Sequence, residues 1–200
     1  SGALYRVLGL SASRKGLDPE QEADKEAISQ LAACLPLAFG RRNESEPLIE
    51  GSVYLAEEEV SLAIRTDEAS AMASRVAALP QVRAALLERQ RGFQAASGLV
   101  ADGRDMGTVV FPAAELKIFL TASVAARAER RYKQLIAKGI DATLPALRLE
   151  LEERDARDTE RSVSPLRPAE GSFVIDSTEL SIAETEAQLE ALVRDAGLLA

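Results

Sequence analysis

The second half of the chain alternates short apolar runs with helical segments, and this alternation constrains the fold more than any other feature. The runs "GLVA" (98–101), "LKIFLTA" (116–122) and "SFVIDS" (172–177) have the continuous apolar pattern of strands that are buried on both faces. Helical patterns occupy 123–139 and 144–162, and a capping box at Ser181 to Glu184 begins a last helix. This order of strands and helices predicts an α/β fold with a parallel sheet.

The first half of the chain has a different pattern, in which helices dominate. Helical patterns cover residues 2–13 and 18–35, and a third at 67–96 is broken by Pro80. Three short strands are predicted between them, at 36–42, 46–58 and 59–66. We therefore predict a small strand-rich insert at 36–65, carried by a core made of 1–35 and 66–200.

Composition excludes several classes of function. The net charge of −8 argues against non-specific binding of nucleic acid or an anionic membrane. The chain has no histidine, so catalytic triads and metal sites that need one are excluded. Its one cysteine, Cys34, allows no internal disulfide, and its apolar surroundings predict a core position. With no membrane span and no signal peptide in the sequence, we predict a cytoplasmic protein without nucleic-acid or membrane partners.

A cluster of charges follows the first apolar run of the second half. Asp102, Arg104 and Asp105 come directly after "GLVA". Ligands of parallel α/β sheets bind at the carboxyl ends of the strands, so these three residues are candidates for a ligand site. A polar turn leaving a strand is the alternative interpretation.

Two arginine-rich helical faces favour an anionic ligand. The first face comprises Arg154, Arg157, Asp158 and Arg161, and the second comprises Arg127, Arg130 and Arg131. In the first face, Arg154, Asp158 and Arg161 have the i, i+4, i+7 spacing that places them on one side of a helix. Solvated ion pairs are the alternative. In an acidic chain, two such faces favour bidentate phosphate binding and, with it, phosphoryl transfer.

Four segments of the chain carry a family resemblance. They are "SGALYR", "IRTDEASAMASRVAALPQVRAALLERQR", "VADGRDMGTVVFP" and "ERDARDTERSVSPL". In this order they resemble signatures of bacterial cytidylate kinases, members of the nucleoside monophosphate kinase family. The resemblance implies a P-loop kinase-like parallel sheet flanked by helices, with a lid around 127–165. It identifies the insert at 36–65 as the CMP-side subdomain of the long bacterial form. It also implies transfer of the ATP γ-phosphoryl group to CMP or dCMP by a monomer, with Mg²⁺ bound to ATP and no resident metal.

The resemblance also implies roles for individual residues. The catalytic residues would be Arg104, Arg154 and Arg161, the substrate-binding residues Ser1, Arg6, Ser74, Arg83, Asp102, Asp105 and Asp158, and the ATP-side lid residues Arg127, Arg131 and Arg157. Within the substrate set, Ser1 and Arg6 would meet the monophosphate, and Asp158 the ribose. Ser74, Arg83 and Asp105 would contact the cytosine, whose amino group a carboxylate accepts.

The sequence departs from the family pattern at one point. These 200 residues contain no G-x-x-x-x-G-K-[ST] loop for the ATP phosphates. We therefore expect the first strands and the P-loop to be missing, and residues 1–200 alone to fold poorly and not to phosphorylate CMP. Two alternatives stay open: a non-catalytic nucleotide-binding remnant of the family, and a helical scaffold with incidental charge.

Overall fold

The computed structural model describes residues 1–41, 45, 47–137 and 139–198. The chain forms two compact units, Ser1–Gly103 and Arg104–Ala200. Residues 42–44 and 46 of the predicted insert lie outside the described residues. Each unit has its own secondary structure and its own set of candidate site residues.

Four helices lie in the described part of the first unit. They are α1 (Gly2–Arg14), α2 (Glu22–Ala33), α3 (Asp67–Val76) and α4 (Pro80–Arg91). The predicted break at Pro80 is confirmed, because this proline begins α4, where its missing N–H costs no hydrogen bond. Thr66 caps α3 by accepting a hydrogen bond from the Ala69 N–H.

The apolar face of α1 forms the centre of the first core. Leu4, Val7 and Leu8 are buried there against residues of α2, α3 and α4. Cys34 does not join them: it lies at the end of α2 and is exposed, so its predicted core position is wrong. The apolar run 31–35 spans the end of α2, where Ala32 and Leu35, three positions apart, take the buried side and leave Cys34 outside it.

Gly9 permits close packing of α1 against α3. A β-carbon at this position would lie 3.1 Å from Met72 Cγ and 3.2 Å from the Ala73 nitrogen. This contact matters for the site, since α1 carries Arg6 and α3 carries Ser74.

We expect Gly9→Leu to lower the free energy of unfolding by about 1–3 kcal/mol, because added atoms would force α1 and α3 apart. Gly2→Leu is the matched control, since no described atom lies within 4 Å of a β-carbon there. Urea unfolding of both variants measures the difference. Equal stability of the two variants would contradict close packing at Gly9.

Three short strands form a small antiparallel sheet in the order β1, β2, β3. They are β1 (Leu37–Phe39), β2 (Val53–Leu55) and β3 (Glu58–Glu59). The third predicted strand, 59–66, is wrong beyond Glu59, and a 3-10 turn at Ala63–Arg65 replaces it. Val60 and Ile64 are both buried, and their i, i+4 spacing suits a helical turn better than a strand.

The segment "GLVA" is not a strand, contrary to the prediction of burial on both faces. No described strand pairs with it. Leu99 is 44% exposed and Val100 is fully exposed. An isolated apolar run without a pairing partner has no ladder hydrogen bonds to hold it in a sheet.

The second unit confirms the α/β class. Its strands β4 (Ile118–Thr121) and β5 (Phe173–Asp176) pair in parallel, with Ile118 opposite Phe173. Among the residues described in this unit, three helices accompany them: α5 (Val124–Ile136), α6 (Leu144–Glu160) and α7 (Ile182–Asp195). The core of the α5–α6 pair is formed by Ala128, Leu135 and Leu147. Each helix begins at a hydroxyl N-cap, in order Ser123, Thr143 and Ser181.

The predicted capping box of α7 is present. Ser181 accepts from the Glu184 N–H, and the Glu184 carboxylate accepts from the Ser181 hydroxyl and N–H. The two hydrogen bonds that the carboxylate accepts hold the pKa of Glu184 below its usual value, and the one from the Ser181 hydroxyl has the larger effect.

We expect the capping box to contribute stability that depends on pH. The pKa of Glu184 is lower in the folded protein than in the unfolded chain. Its contribution to stability is therefore fully present at a pH above the unfolded-state pKa, and it is lost as the pH falls through the folded-state pKa. Thermal melts should therefore separate wild type from Glu184→Ala at neutral pH and converge in acid. A gap that stays constant from neutral pH to acid would contradict this role of the carboxylate.

Candidate functional site

The first unit places Arg6 at the contact between α1 and the segment leading into α3. Its Nη1 donates to the Ile64 carbonyl at 2.8 Å, and its Nη2 donates to Ser70 Oγ at 3.2 Å. Arg6 is only partly buried. Two fixed hydrogen bonds on a planar group define its orientation, so this guanidinium is held in place before any ligand arrives.

Arg83 lies buried beside an aromatic ring. It is 7% exposed, its Nη1 donates to the Ala77 carbonyl at 3.1 Å, and its Cζ lies 5.6 Å from the centre of the Tyr5 ring. A cation over an aromatic face within about 6 Å is attracted by the ring. Tyr5 therefore helps to hold the Arg83 guanidinium, a contact that the sequence analysis did not predict.

Ser74 carries a buried hydroxyl on α3. The residue is 8% exposed, and among the described residues its Oγ has no hydrogen-bond partner. A buried polar atom of this kind is uncommon in native proteins and usually has a functional or hydration partner. This hydroxyl fits a group that binds a ligand.

Ser1 and Asp102 meet each other in the first unit. The Ser1 nitrogen donates to the Asp102 carbonyl oxygen at 2.8 Å and lies 3.6 Å from its carboxylate. The Asp102 side chain is fully exposed. The carboxylate is therefore not among the buried groups of the site.

The second unit joins two of the candidate arginines through one carboxylate. Asp158, whose side chain is 5% exposed, accepts a short hydrogen bond from Arg104 Nε and one of 3.2 Å from Arg161 Nη1. Arg161 is nearly as buried, whereas Arg104 is about one third exposed. We call these three residues the Asp158 triad. The triad confirms the predicted proximity of Asp158 and Arg161 and adds Arg104 to them.

The two other arginines of the predicted face, Arg154 and Arg157, differ from each other in exposure. Arg154 is partly buried, while Arg157 is exposed and lies 3.9 Å from the Glu153 carboxylate. Arg157 thus takes part in the solvated i, i+4 pairing that was the alternative interpretation of this face.

Arg127 connects α5 to α6. Its two terminal nitrogens donate to the two carboxylate oxygens of Asp155, and its Nε donates to the Ala122 carbonyl at 3.1 Å. Arg130 donates to the carbonyls of Ser177 and Leu180, so it fastens the loop that follows β5. Asp155 was missed by the sequence analysis, although it lies in the same charged run.

Asp105 and Thr108 lie at an unusual turn. Asp105 is 4% exposed and precedes a one-turn π-helix, Met106–Val110, whose last N–H groups donate to its carbonyl. Such turns are rare and often occur at functional sites. Within the described chain the buried Thr108 hydroxyl has no hydrogen-bond partner. Nothing in the sequence pattern distinguished Thr108.

The described residues hold no group of three histidine, cysteine or carboxylate side chains that could bind a metal ion. None of the described helices is both long and apolar enough to cross a membrane.

The chain is similar to known proteins over nearly its whole length. The sequence profile described as Cytidylate kinase matches residues 1–195. The Cytidylate kinase of Stutzerimonas stutzeri strain A1501 is 51% identical over 198 residues, which are 99% of this chain and 84% of that protein. The Cytidylate kinase of Pseudomonas aeruginosa strain UCBPP-PA14 is 53% identical over 97% of this chain and 81% of that protein. The Cytidylate kinase of Vibrio cholerae serotype O1 is also 53% identical, over 94% of this chain and 80% of that protein.

Proposed function

The chain belongs to the cytidylate kinase family of phosphotransferases, and we propose that it transfers the γ-phosphoryl group of ATP to CMP or dCMP. The observation that carries this proposal best is the Asp158 triad. One buried carboxylate holds two guanidinium groups, which supports their proposed role as a preorganised pair of phosphate ligands. We further propose that β4 and β5 belong to a P-loop kinase-like sheet and that the protein acts in the cytoplasm as a monomer.

Three residues are proposed to recognise the cytosine. Arg83 is supported by its burial and its fixed guanidinium, and Ser74 by its buried hydroxyl. Asp105 is proposed to accept a hydrogen bond from the cytosine amino group, because a carboxylate accepts and cannot donate at neutral pH. Uracil presents a carbonyl at the same place, which a carboxylate repels.

We expect Asp105→Ala to weaken CMP binding by about ten- to a hundredfold more than UMP binding, since a charge-assisted hydrogen bond contributes about 1.5–3 kcal/mol. Titration calorimetry with both nucleotides measures this difference. Glu115→Ala is the control, because Glu115 is an exposed carboxylate of the same unit. Equal weakening of both nucleotides by Asp105→Ala would show that Asp105 has only a structural role.

The phosphate groups are proposed to meet arginines. Ser1 and Arg6 would bind the monophosphate, and Arg104, Arg154 and Arg161 would neutralise charge on the transferred group. Asp102 is proposed to lie near this phosphate, which its exposure permits. Asp158 is proposed to contact the ribose while holding the two arginines of the triad.

The helices α5 and α6 are proposed to form the ATP-side lid. Arg127, Arg131 and Arg157 are its proposed ATP-side residues. The bidentate contact of Arg127 with Asp155 supports a lid in which the two helices stay together. Mg²⁺ is proposed to arrive with ATP, since bound ATP phosphates supply oxygen ligands that magnesium prefers.

The proposed reaction needs positioning more than covalent chemistry. A phosphate oxygen of CMP attacks the γ-phosphorus, the bond to the β-phosphate oxygen breaks, and ADP leaves with that electron pair. The transition state spreads charge over the transferred group, so guanidinium groups that meet it there accelerate the reaction. A protein that binds CMP without transferring phosphate would instead be a nucleotide-binding remnant of the family.

A further inference from the structure

The chain turns back sharply at the end of α6. Arg161 follows the last helical residue in an extended conformation, and Ser164 has a positive φ of 54°. Pro165 comes next, and the Leu166 N–H donates to the Asp158 carbonyl at 2.8 Å. The turn 162–166 therefore folds onto the last turn of α6, where the Asp158 triad lies.

Ser164 has a conformation that its residue type disfavours. A non-glycine residue rarely adopts positive φ, because its β-carbon crowds the backbone. A residue before proline also prefers extended backbone, so Ser164 departs from a second preference. Strained residues of this kind cluster at functional sites and persist only where surrounding contacts hold them.

The contact that this conformation makes is with Arg161. The Arg161 Nε donates to the Ser164 carbonyl at 2.5 Å, while its Nη1 donates to Asp158 at 3.2 Å. Two hydrogen bonds from different nitrogens of a planar group fix both its position and its plane. The Arg161 side chain is 7% exposed, so it has little room to reorient.

We infer that Ser164 is a positioning residue: its left-handed backbone directs its carbonyl to Arg161 Nε and so sets the plane in which that guanidinium meets phosphate. The inference rests on the phosphate-binding role proposed above for Arg161. The turn 162–166 would then not only end α6 but also orient the Arg161 guanidinium. Because the carbonyl makes the contact, backbone conformation should matter at position 164, and the hydroxyl should not.

Three substitutions separate these requirements. Ser164→Gly keeps access to positive φ, and Ser164→Ala removes only the hydroxyl. Ser164→Val is β-branched and strongly disfavours positive φ, so its carbonyl should turn away from Arg161. We expect the glycine and alanine variants to keep kcat for CMP phosphorylation within about twofold. The valine variant should lose about tenfold or more in kcat with little change in the KM for CMP, as expected for a contact made in the transition state.

A double-mutant cycle tests whether Ser164 acts through Arg161. In an Arg161→Ala background, Ser164→Val should have no further effect on kcat. A full additional loss in that background would overturn the inference, because Ser164 would then act independently of Arg161. If Arg161→Ala alone leaves kcat unchanged, the proposed phosphate role of Arg161 fails instead, and the two failures are thus distinguishable.

A measurement without turnover tests the geometry itself. The Arg161 Nε–H resonance, identified by its loss in Arg161→Lys, should exchange slowly with solvent in wild type and in Ser164→Gly. It should exchange faster in Ser164→Val, or in the milder Ser164→Thr if the valine variant does not fold. Equal exchange in the glycine and β-branched variants would contradict the inference.

Discussion

Asp158→Ala should lower the free energy of unfolding by about 3–5 kcal/mol, the usual loss when one partner of a buried ion pair is removed. The buried Arg161 would lose the carboxylate that balances its charge, and Arg104 would lose the acceptor of its Nε. CMP phosphorylation should fall at least about a hundredfold as well, because Arg104 would lose its acceptor and Arg161 would lose one of the two hydrogen bonds that fix its guanidinium. Urea unfolding and steady-state kinetics measure the two effects.

Glu153→Ala is the matched control for this substitution. Glu153 lies on the same helix and is 3.9 Å from Arg157, but both side chains are about half exposed. A surface pair contributes about 0–1 kcal/mol, so this variant should keep nearly full stability and activity. Similar losses in the two variants would mean that burial of the Asp158 triad has no special importance.

The α/β class and most helices were predictable from local patterns. Pro80 marked a helix start and Ser181 with Glu184 marked a capping box, because these signals depend only on neighbouring residues. The segment "GLVA" was mispredicted because burial depends on a pairing partner, which composition does not reveal. The predicted absence of earlier strands and of a P-loop stays a prediction.

The candidate site was predictable in part. Helical spacing brought Asp158 and Arg161 together correctly, but it could not show that Arg104 would join them from a distant segment. Three further features depend on backbone conformation or burial: the Ser164 turn, the buried Thr108 hydroxyl and the Tyr5 ring beside Arg83. Such features arise from tertiary structure and leave no periodic signal in the sequence.

Arg161→Lys should reduce kcat by about 10²–10³-fold, the typical loss when one donor to transition-state charge is removed. Lysine keeps the positive charge but lacks the planar fork, so it cannot donate to Ser164, Asp158 and phosphate in one plane. The KM for CMP should change by less than about threefold, because the lost interaction strengthens only in the transition state. Steady-state kinetics with saturating ATP measure both constants.

Arg194→Lys is the control for Arg161→Lys. Arg194 lies in the last turn of α7, is exposed, pairs with Glu190 at 2.7 Å and has no proposed role in the site. We expect this variant to keep kcat within a few fold. A normal kcat with a raised KM in Arg161→Lys would instead assign Arg161 to ground-state binding of the nucleotide.

The choice of phosphate acceptor distinguishes a cytidylate kinase from kinases of other nucleoside monophosphates. In the full-length enzyme, the form in which every stability and kinetic test above is to be made, ADP formation from ATP and Mg²⁺ should be measured with CMP, dCMP, UMP and AMP under the same conditions. We predict that kcat/KM for CMP or dCMP exceeds that for UMP and AMP by at least about tenfold, since one charge-assisted hydrogen bond to the cytosine amino group supplies that discrimination. Equal rates with all four nucleotides, or a preference for UMP or AMP, would contradict it.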